Sequence, residues 1–301
     1  MPITKREELQ PKPRWLKVEI PKGDNFHTLK KEMKSRKLAT VCEEARCPNI
    51  AECWDKKTAT MMILGDTCTR ACKFCNVKTG NPKGFVNHDE IRQASEMVSL
   101  MGLRYLVVTS VDRDDLPDHG AGHFAAVVRE INHNHAGTKV EVLIPDFDIV
   151  EERMHTLAQS QPFVIAQNME TVKRLTHPVR DRRAGYEKTL SALKFYKEHY
   201  PHIVTKSSLM VGLGETMEEL EQAMRDLRSV GVQILTFGQY LQPSLKHLKV
   251  ERYYKPDEFD DLKARALAHG FEFVASGPMV RSSYKAGDFL DYLEAKANQI
   301  V

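Results

Sequence analysis

The chain has 301 residues, 42% of them hydrophobic and 28% charged, an ordinary globular composition that excludes wholesale disorder and suits one large core or two modest ones. Its net charge of +3 is too small to point to nucleic acid, and no apolar run approaches the roughly 20 residues of a membrane span. The start, Met1 to Glu8, lacks a secretory apolar segment and carries acidic residues early, so a cytoplasmic protein is expected, without nucleic-acid or membrane partners.

Residues 1–40 hold 11 Lys/Arg against 5 Asp/Glu, or +6, which leaves −3 for the remainder. Such an extension is either a solvated tail or a basic surface for an acidic protein partner. It is Pro/Lys-rich at first, with Trp15 read as a packing anchor against the main body, and helical in pattern over 26–36.

All six cysteines lie between Cys42 and Cys75, and the following 226 residues have none. In a cytoplasmic chain that clustering favours metal over cystine. Cys42, Cys47 and Cys53 form a C-x4-C-x5-C triplet. After the apolar run 60–65, Cys68, Cys72 and Cys75 form a second triplet, C-x3-C-x2-C. A structural zinc usually takes four protein ligands and an ordinary [4Fe–4S] cluster four cysteines. Three close thiolates therefore suit a cluster with one iron left open. The first triplet reads as a second cluster, or as a zinc knuckle completed by a distant histidine.

From residue 58 onward, strand and helix patterns alternate, as in βα units around a parallel sheet. Strands are expected at 59–64, 105–109, 139–144, 163–167, 203–211 and 232–237, with a weaker seventh at 271–275. Helices are expected at 89–100, 122–133, 150–158, 186–198, 216–229 and 256–267, the fifth opened by a Thr216/Glu219 capping box. Right-handed crossovers then curl the strands into an α/β fold, a partial (β/α)6 TIM-like barrel. Residues 1–57 form an N-terminal extension, 58–276 the barrel and 277–301 a C-terminal extension whose helical tail buries Phe289, Leu290 and Leu293. Chemistry in such folds collects at the C-terminal ends of the strands. That face is expected to hold 68–75, 110–112, 168–170 and 212–215. His133 and His135 end a helix in a polar context and read as solvated. No phosphate loop and no nucleophile elbow is present.

The C-x3-C-x2-C loop, with Phe74 as the aromatic residue before its third cysteine, resembles the signature of the radical S-adenosylmethionine superfamily. The resemblance narrows to the lipoyl synthase family on further motifs. These are the upstream triplet, Cys47-Pro48-Asn49, Gly65-Asp66-Thr67-Cys68-Thr69-Arg70, Val111-Asp112-Arg113-Asp114-Asp115, Leu209 to Thr216 and the Arg281-Ser282-Ser283-Tyr284 strip. It implies two [4Fe–4S] clusters and S-adenosyl-L-methionine in a barrel of the radical S-adenosylmethionine type. By that resemblance Cys68, Cys72 and Cys75 hold the radical-generating cluster. Cys42, Cys47, Cys53 and, as the serine ligand, Ser283 hold an auxiliary one. The implied reaction inserts two sulfur atoms at C6 and C8 of a protein-bound octanoyl-lysine, with the auxiliary cluster consumed as sulfur source. Implied partners are octanoylated lipoyl carrier domains (2-oxoacid dehydrogenase E2 subunits and the glycine cleavage H protein), a reducing electron-transfer protein and an iron–sulfur cluster carrier.

Asn168 and Glu170 are candidates for the ribose or methionine end of S-adenosylmethionine, and Gly212 for backbone approach to the adenine. The superfamily's G-x-I-x-G-x-x-E pattern aligns here with Ser208, Met210, Gly212 and Glu215. Arg180 and Arg183 are candidates for neutralising a carboxylate, or are solvated at a helix end. Two other readings compete. One is a radical enzyme acting on a free small molecule, as biotin synthase does; the other is a non-catalytic iron–sulfur or zinc protein.

Overall fold

The structure, a computed structural model, describes residues 11–16, 31, 35, 49–55, 57–284 and 286–298. The helix expected over 26–36 falls almost wholly outside these, as do Cys42 and Cys47.

A short helix α1 (Ile50–Asp55) leads into β1 (Thr58–Ile63), followed by the paired two-residue strands β2 (Thr67–Cys68) and β3 (Lys78–Thr79). Then come α2 (Asp89–Met101), β4 (Tyr105–Ser110), α3 (Ala121–Asn134), β5 (Lys139–Leu143), α4 (Glu151–Ala158) and β6 (Val164–Ala166). The chain continues through α5 (Thr176–Val179), α6 (Tyr186–His199), β7 (Val204–Val211), α7 (Met217–Ser229), β8 (Ile234–Gln239), α8 (Pro256–Ala268), β9 (Phe273–Gly277) and α9 (Asp288–Asn298).

Seven strands pair in parallel in the order β1-β4-β5-β6-β7-β8-β9. Apart from the small β2–β3 ribbon, chain order and sheet order coincide, so each crossover lays its helix on the same face. Among the described residues β1 and β9 do not meet, which leaves a curled, open half-barrel. From residue 58 onward the expected strands and helices are all present, with ends displaced by a residue or two. The strand read as weaker pairs with β8 over five residues, from Ile234↔Phe273 to Gly238↔Gly277. Thr216 and Glu219 form the capping box of α7.

Strand residues alternate between two environments, as pleating requires. On β4, Leu106 and Val108 pack against the helical layer, whereas Tyr105 and Val107 face inward, where Ala286 packs against them. The floor of the barrel is polar: Tyr105 Oη donates to Glu141 at 2.8 Å, and Lys206 Nζ donates to the same carboxylate at 2.8 and 2.9 Å. α9 closes this end, Phe289 meeting Phe163 and Phe273 at ring separations of 6.2 and 5.7 Å. Trp15 acts as an anchor through its indole N–H, which donates to the Tyr254 carbonyl at 3.1 Å, although the residue is 39% exposed. Among the described residues no helix is long and apolar enough to cross a membrane.

Candidate active site

Beyond β1 the chain turns through Leu64 and Gly65, both left-handed, and re-enters extended structure at β2. The β2–β3 ribbon closes the intervening residues into a lobe in which Cys75 N–H donates to the Cys72 carbonyl at 3.1 Å. This brings Cys68, Cys72 and Cys75 to one cavity at the C-terminal ends of the strands. Cys68 Sγ accepts from the N–H of Asp112 at 3.3 Å and of Arg70 at 3.4 Å, and Cys72 Sγ from the N–H of Asp181 at 3.2 Å. Burial pushes all three thiols up to about 11. The bare chain therefore carries neutral thiols at neutral pH, and a bound metal must displace their protons.

The loop is held by ion pairs. Arg70 is 5% exposed and reaches Asp114 at 2.8 Å, Asp146 at 2.7 Å and Asp112 at 3.4 Å. Burial raises the Asp112 carboxyl to about 6 against the pull of Arg70. Arg183 donates to the Thr69 carbonyl at 2.6 Å and to Asp181 at 2.8 Å, and Asp181 in turn accepts from the Ala71 N–H at 2.9 Å. Arg183, although exposed, thus braces the cysteine lobe. None of Asp114, Asp146 and Asp181 was singled out by a motif of metal or acid–base type. Asp114 falls within the Val111–Asp115 family motif, whereas the only signal for Asp146 and Asp181 is position, just beyond a strand and in the loop after α5.

Phe74, Asn168, Glu170 and Arg180 line the same cavity as the three thiols, with Ser110, Asp112 and Gln167. Asn168 Nδ2 donates to Glu170 Oε1 at 3.1 Å. Burial raises the Glu170 carboxyl, opposed by Arg180 and by that hydrogen bond. Four polar atoms on this wall, Ser110 Oγ, Gln167 Oε1, Asn168 Oδ1 and Arg180 Nε, are buried without a protein partner. Orphaned donors and acceptors of this kind are costly unless a ligand meets them. Together with three thiols they fit a thiolate-held cluster beside a zwitterionic, hydroxyl-bearing cofactor.

Gly212 directly follows β7. It is not among the residues lining the cavity, and the space a Cβ would fill there is taken by the Gln239 amide at 2.2 Å and the Arg252 carbonyl at 2.6 Å. Glu215 accepts from the N–H groups of Gly212 and Leu213 at 2.6 and 2.9 Å, so this stretch is a braced turn. His133 is exposed, and His135 meets Ser95 Oγ at 2.9 Å.

Cys53 is buried on α1. Two contacts tie that helix to the C-terminal strip: Asn49 Nδ2 donates to the Met279 carbonyl at 2.6 Å, and Tyr284 Oη to Glu52 at 2.6 Å. Ser283, half-buried, precedes Tyr284 on that strip. Gly238 lets the strip pass, since a Cβ there would stand 2.1 Å from the Val280 carbonyl oxygen.

The Radical SAM superfamily model matches residues 62–227, and that of the N-terminal domain of lipoyl synthase of the Radical_SAM family matches residues 2–47. The chain is 56% identical over 275 residues to the lipoyl synthase of Francisella tularensis subsp. novicida, covering 91% of this chain and 84% of that one. It is 53% identical over 288 residues to that of Marinobacter nauticus, covering 96% and 83%. In fold it resembles methylornithine synthase, with a TM-score of 0.54 at 11% identity over 83% of this chain and 81% of that one. It also resembles HydG, a maturase of the [FeFe]-hydrogenase, with a TM-score of 0.55 at 14% identity over 83% and 67%.

Proposed function

The chain belongs to the lipoyl synthase family of the radical S-adenosylmethionine superfamily, and from that membership we propose how its own residues carry out sulfur insertion. The activity is that of a lipoyl synthase, a radical S-adenosylmethionine enzyme that inserts sulfur. The carbons to be functionalised, C6 and C8 of an octanoyl chain, bear unactivated C–H bonds beyond the reach of side-chain bases. When bound, a [4Fe–4S] cluster and S-adenosylmethionine supply the carbon radical that removes such hydrogens.

Cys68, Cys72 and Cys75 are the three ligands of that cluster, leaving one iron for the cofactor. The N–H donors on Cys68 and Cys72 spread the charge of the thiolates, and Arg70 with its carboxylates holds the loop in register. Asn168, Glu170 and Arg180, with Ser110 and Gln167, receive the amino-acid and ribose groups of S-adenosylmethionine. Phe74 covers the lobe. Cys42, Cys47 and Cys53, with Ser283, would hold a second [4Fe–4S] cluster, which would supply the sulfur. Serine oxygen is a harder ligand than thiolate and suits a site that must be taken apart. The two hydrogen bonds joining α1 to the C-terminal strip support Cys53 and Ser283 as ligands of one centre. The substrate is an octanoylated lipoyl carrier domain, of a 2-oxoacid dehydrogenase E2 subunit or the glycine cleavage H protein. A reducing protein supplies electrons, and an iron–sulfur carrier rebuilds the second cluster.

The observation carrying this reading is the meeting of three thiols with unpartnered buried polar atoms in one cavity. Its test is anaerobic incubation of the iron-loaded protein with reductant, S-adenosylmethionine and an octanoylated carrier peptide, followed by mass spectrometry. Gain of two sulfur atoms with release of 5′-deoxyadenosine is expected. Release of 5′-deoxyadenosine without sulfur gain would overturn the assignment of the second centre; no release would overturn that of the first.

A further inference from the structure

Outside the cavity, two buried polar side chains, one of them backed by a buried histidine, converge on the two-residue turn from which the cysteine loop departs. Leu64 and Gly65 are successive left-handed residues, with φ of +67° and +85°. Their N–H groups therefore point to one side and make a concavity suited to an anion. Glu90, from the first turn of α2, fills it: Oε2 accepts from Leu64 N–H at 2.7 Å and Oε1 from Gly65 N–H at 3.3 Å. Glu90 is 7% exposed, and its Oε2 also meets Nε2 of His123 on α3 at 2.8 Å, that histidine being 8% exposed. The opposite side of the turn is gripped as well. Arg113 Nη1 donates to the Leu64 carbonyl at 3.0 Å, and Asp115 holds that guanidinium through two hydrogen bonds of 2.8 and 2.9 Å.

Burying a carboxylate and a guanidinium is expensive unless each is paired and used. An ordinary strand end needs neither. Here both are directed at a turn whose leucine holds a conformation that bulky residues avoid. The first cysteine of the loop follows three positions later. Arg113 also stands between Asp112, whose N–H contacts Cys68 Sγ, and Asp114, which pairs with Arg70. One residue thus relates the departure of the loop to the backbone that receives its first sulfur.

We infer that Glu90, Arg113 and His123 are positioning residues that set Cys68 relative to Cys72 and Cys75, and through them the cluster's orientation toward S-adenosylmethionine. This rests on the assignment of the radical-generating cluster to those cysteines.

The test compares the iron-loaded wild type with Glu90→Gln, which keeps shape but puts an amide N–H against a backbone N–H, and with His123→Asn, which leaves the carboxylate in place but frees its orientation. The readouts are the S-adenosylmethionine concentration that half-converts the reduced cluster's paramagnetic resonance signal, and amide hydrogen exchange over 67–75 in the metal-free chain. Phe289→Leu, at the barrel floor, serves as a control for general destabilisation. Glu90→Gln is expected to raise the half-conversion concentration about tenfold, the low end for outer supports of a metal site, and to speed exchange over the loop. His123→Asn should do both to a smaller degree, and Phe289→Leu neither. Folded variants indistinguishable from wild type, or an equal change in Phe289→Leu, would overturn the positioning role. A wild type with no signal responsive to S-adenosylmethionine would instead overturn the cluster assignment, and the inference with it.

Discussion

Arg70 is nearly sealed from solvent yet belongs to a loop, and three carboxylates justify its place there. Arg70→Ala would leave Asp112, Asp114 and Asp146 facing one another without a cation. Breaking a buried pair from one side costs about 3–5 kcal/mol, so urea unfolding of the metal-free variant should show a loss at the low end of that range. A loss within experimental error of zero would mean that solvent already screens the group. The same cluster has a pH signature. Burial alone would raise the Asp114 carboxyl, but hydrogen bonds from Arg70 and Thr69 outweigh it and hold the group down at about 2. An unfolded aspartate titrates near about 3.9, so the stabilisation is whole above that value and lost as pH falls through the folded one. The stability gap between wild type and Asp114→Asn in the metal-free chain should therefore be widest near neutrality and narrow below about pH 4. A gap independent of pH would contradict it. The cysteines make a separate prediction. Ala at Cys68, Cys72 or Cys75 should abolish S-adenosylmethionine cleavage, whereas Ala at Cys42, Cys47 or Cys53 should spare cleavage and abolish sulfur transfer. Equal loss of both activities in the two sets would refute the division of labour.

Elements differ in how plainly the sequence announces them. The strands were legible because each is a short β-branched apolar run bounded by helical patterns, and parallel strands buried on both faces read that way. β9 is faint because Phe273-Val274-Ala275-Ser276-Gly277 contains three small residues and little periodicity; its place is assured by pairing with β8. The turn Phe147-Asp148-Ile149 was illegible. All three residues are left-handed, with φ of +47°, +55° and +57°, and none is Gly or Asn, the residues that usually mark such backbone. Burial of Phe147 and the bond from Arg153 Nη1 to its carbonyl at 3.0 Å sustain it, directly after the aspartate that pairs with Arg70. Glu90 is illegible for a related reason. An acidic residue in a helix's first turn is ordinarily read as solvated and favourable to the dipole, and only the packed fold turns it inward. The C-terminal strip supplies the prediction at this scale. Gly238→Ala would drive a methyl into the Val280 carbonyl and push the strip bearing Ser283 off the end of β8. With the cysteine loop untouched, S-adenosylmethionine cleavage should persist while sulfur insertion falls at least tenfold, measured on one sample. Loss of cleavage to the same extent would show that β8 and the strip serve the first centre instead.

Among the described residues the barrel sets the C-x3-C-x2-C loop and the sealed floor at opposite ends of its axis. The cysteine loop, the orphaned polar atoms and the carboxylate cluster all lie where the strands end. The opposite mouth is filled by the Tyr105–Glu141–Lys206 network and closed by α9. Parallel barrels divide labour in this way because the loops that can vary follow the strands, whereas the other end only has to be sealed. The motifs at the chemical end could be read from spacing, since thiolate ligands must recur at short intervals. The seal could not, because its apolar residues look like any amphipathic tail until Phe163 and Phe273 are known to border the same opening. Phe289→Ala separates the two ends experimentally. Phe289 is 2% exposed and packs on Phe163, Phe273 and Tyr292, so truncation should cost about 3–5 kcal/mol, as for other buried aromatic-to-alanine changes. The denaturation midpoint should fall accordingly. The yield of 5′-deoxyadenosine per folded, iron-loaded molecule should stay at the wild-type value, since the rings that Phe289 packs on, Phe163, Phe273 and Tyr292, do not line the cofactor cavity. A variant that lost turnover in proportion to its stability would mean that the floor shapes the reacting end, and that the barrel works as one coupled body rather than as a seal beneath a site.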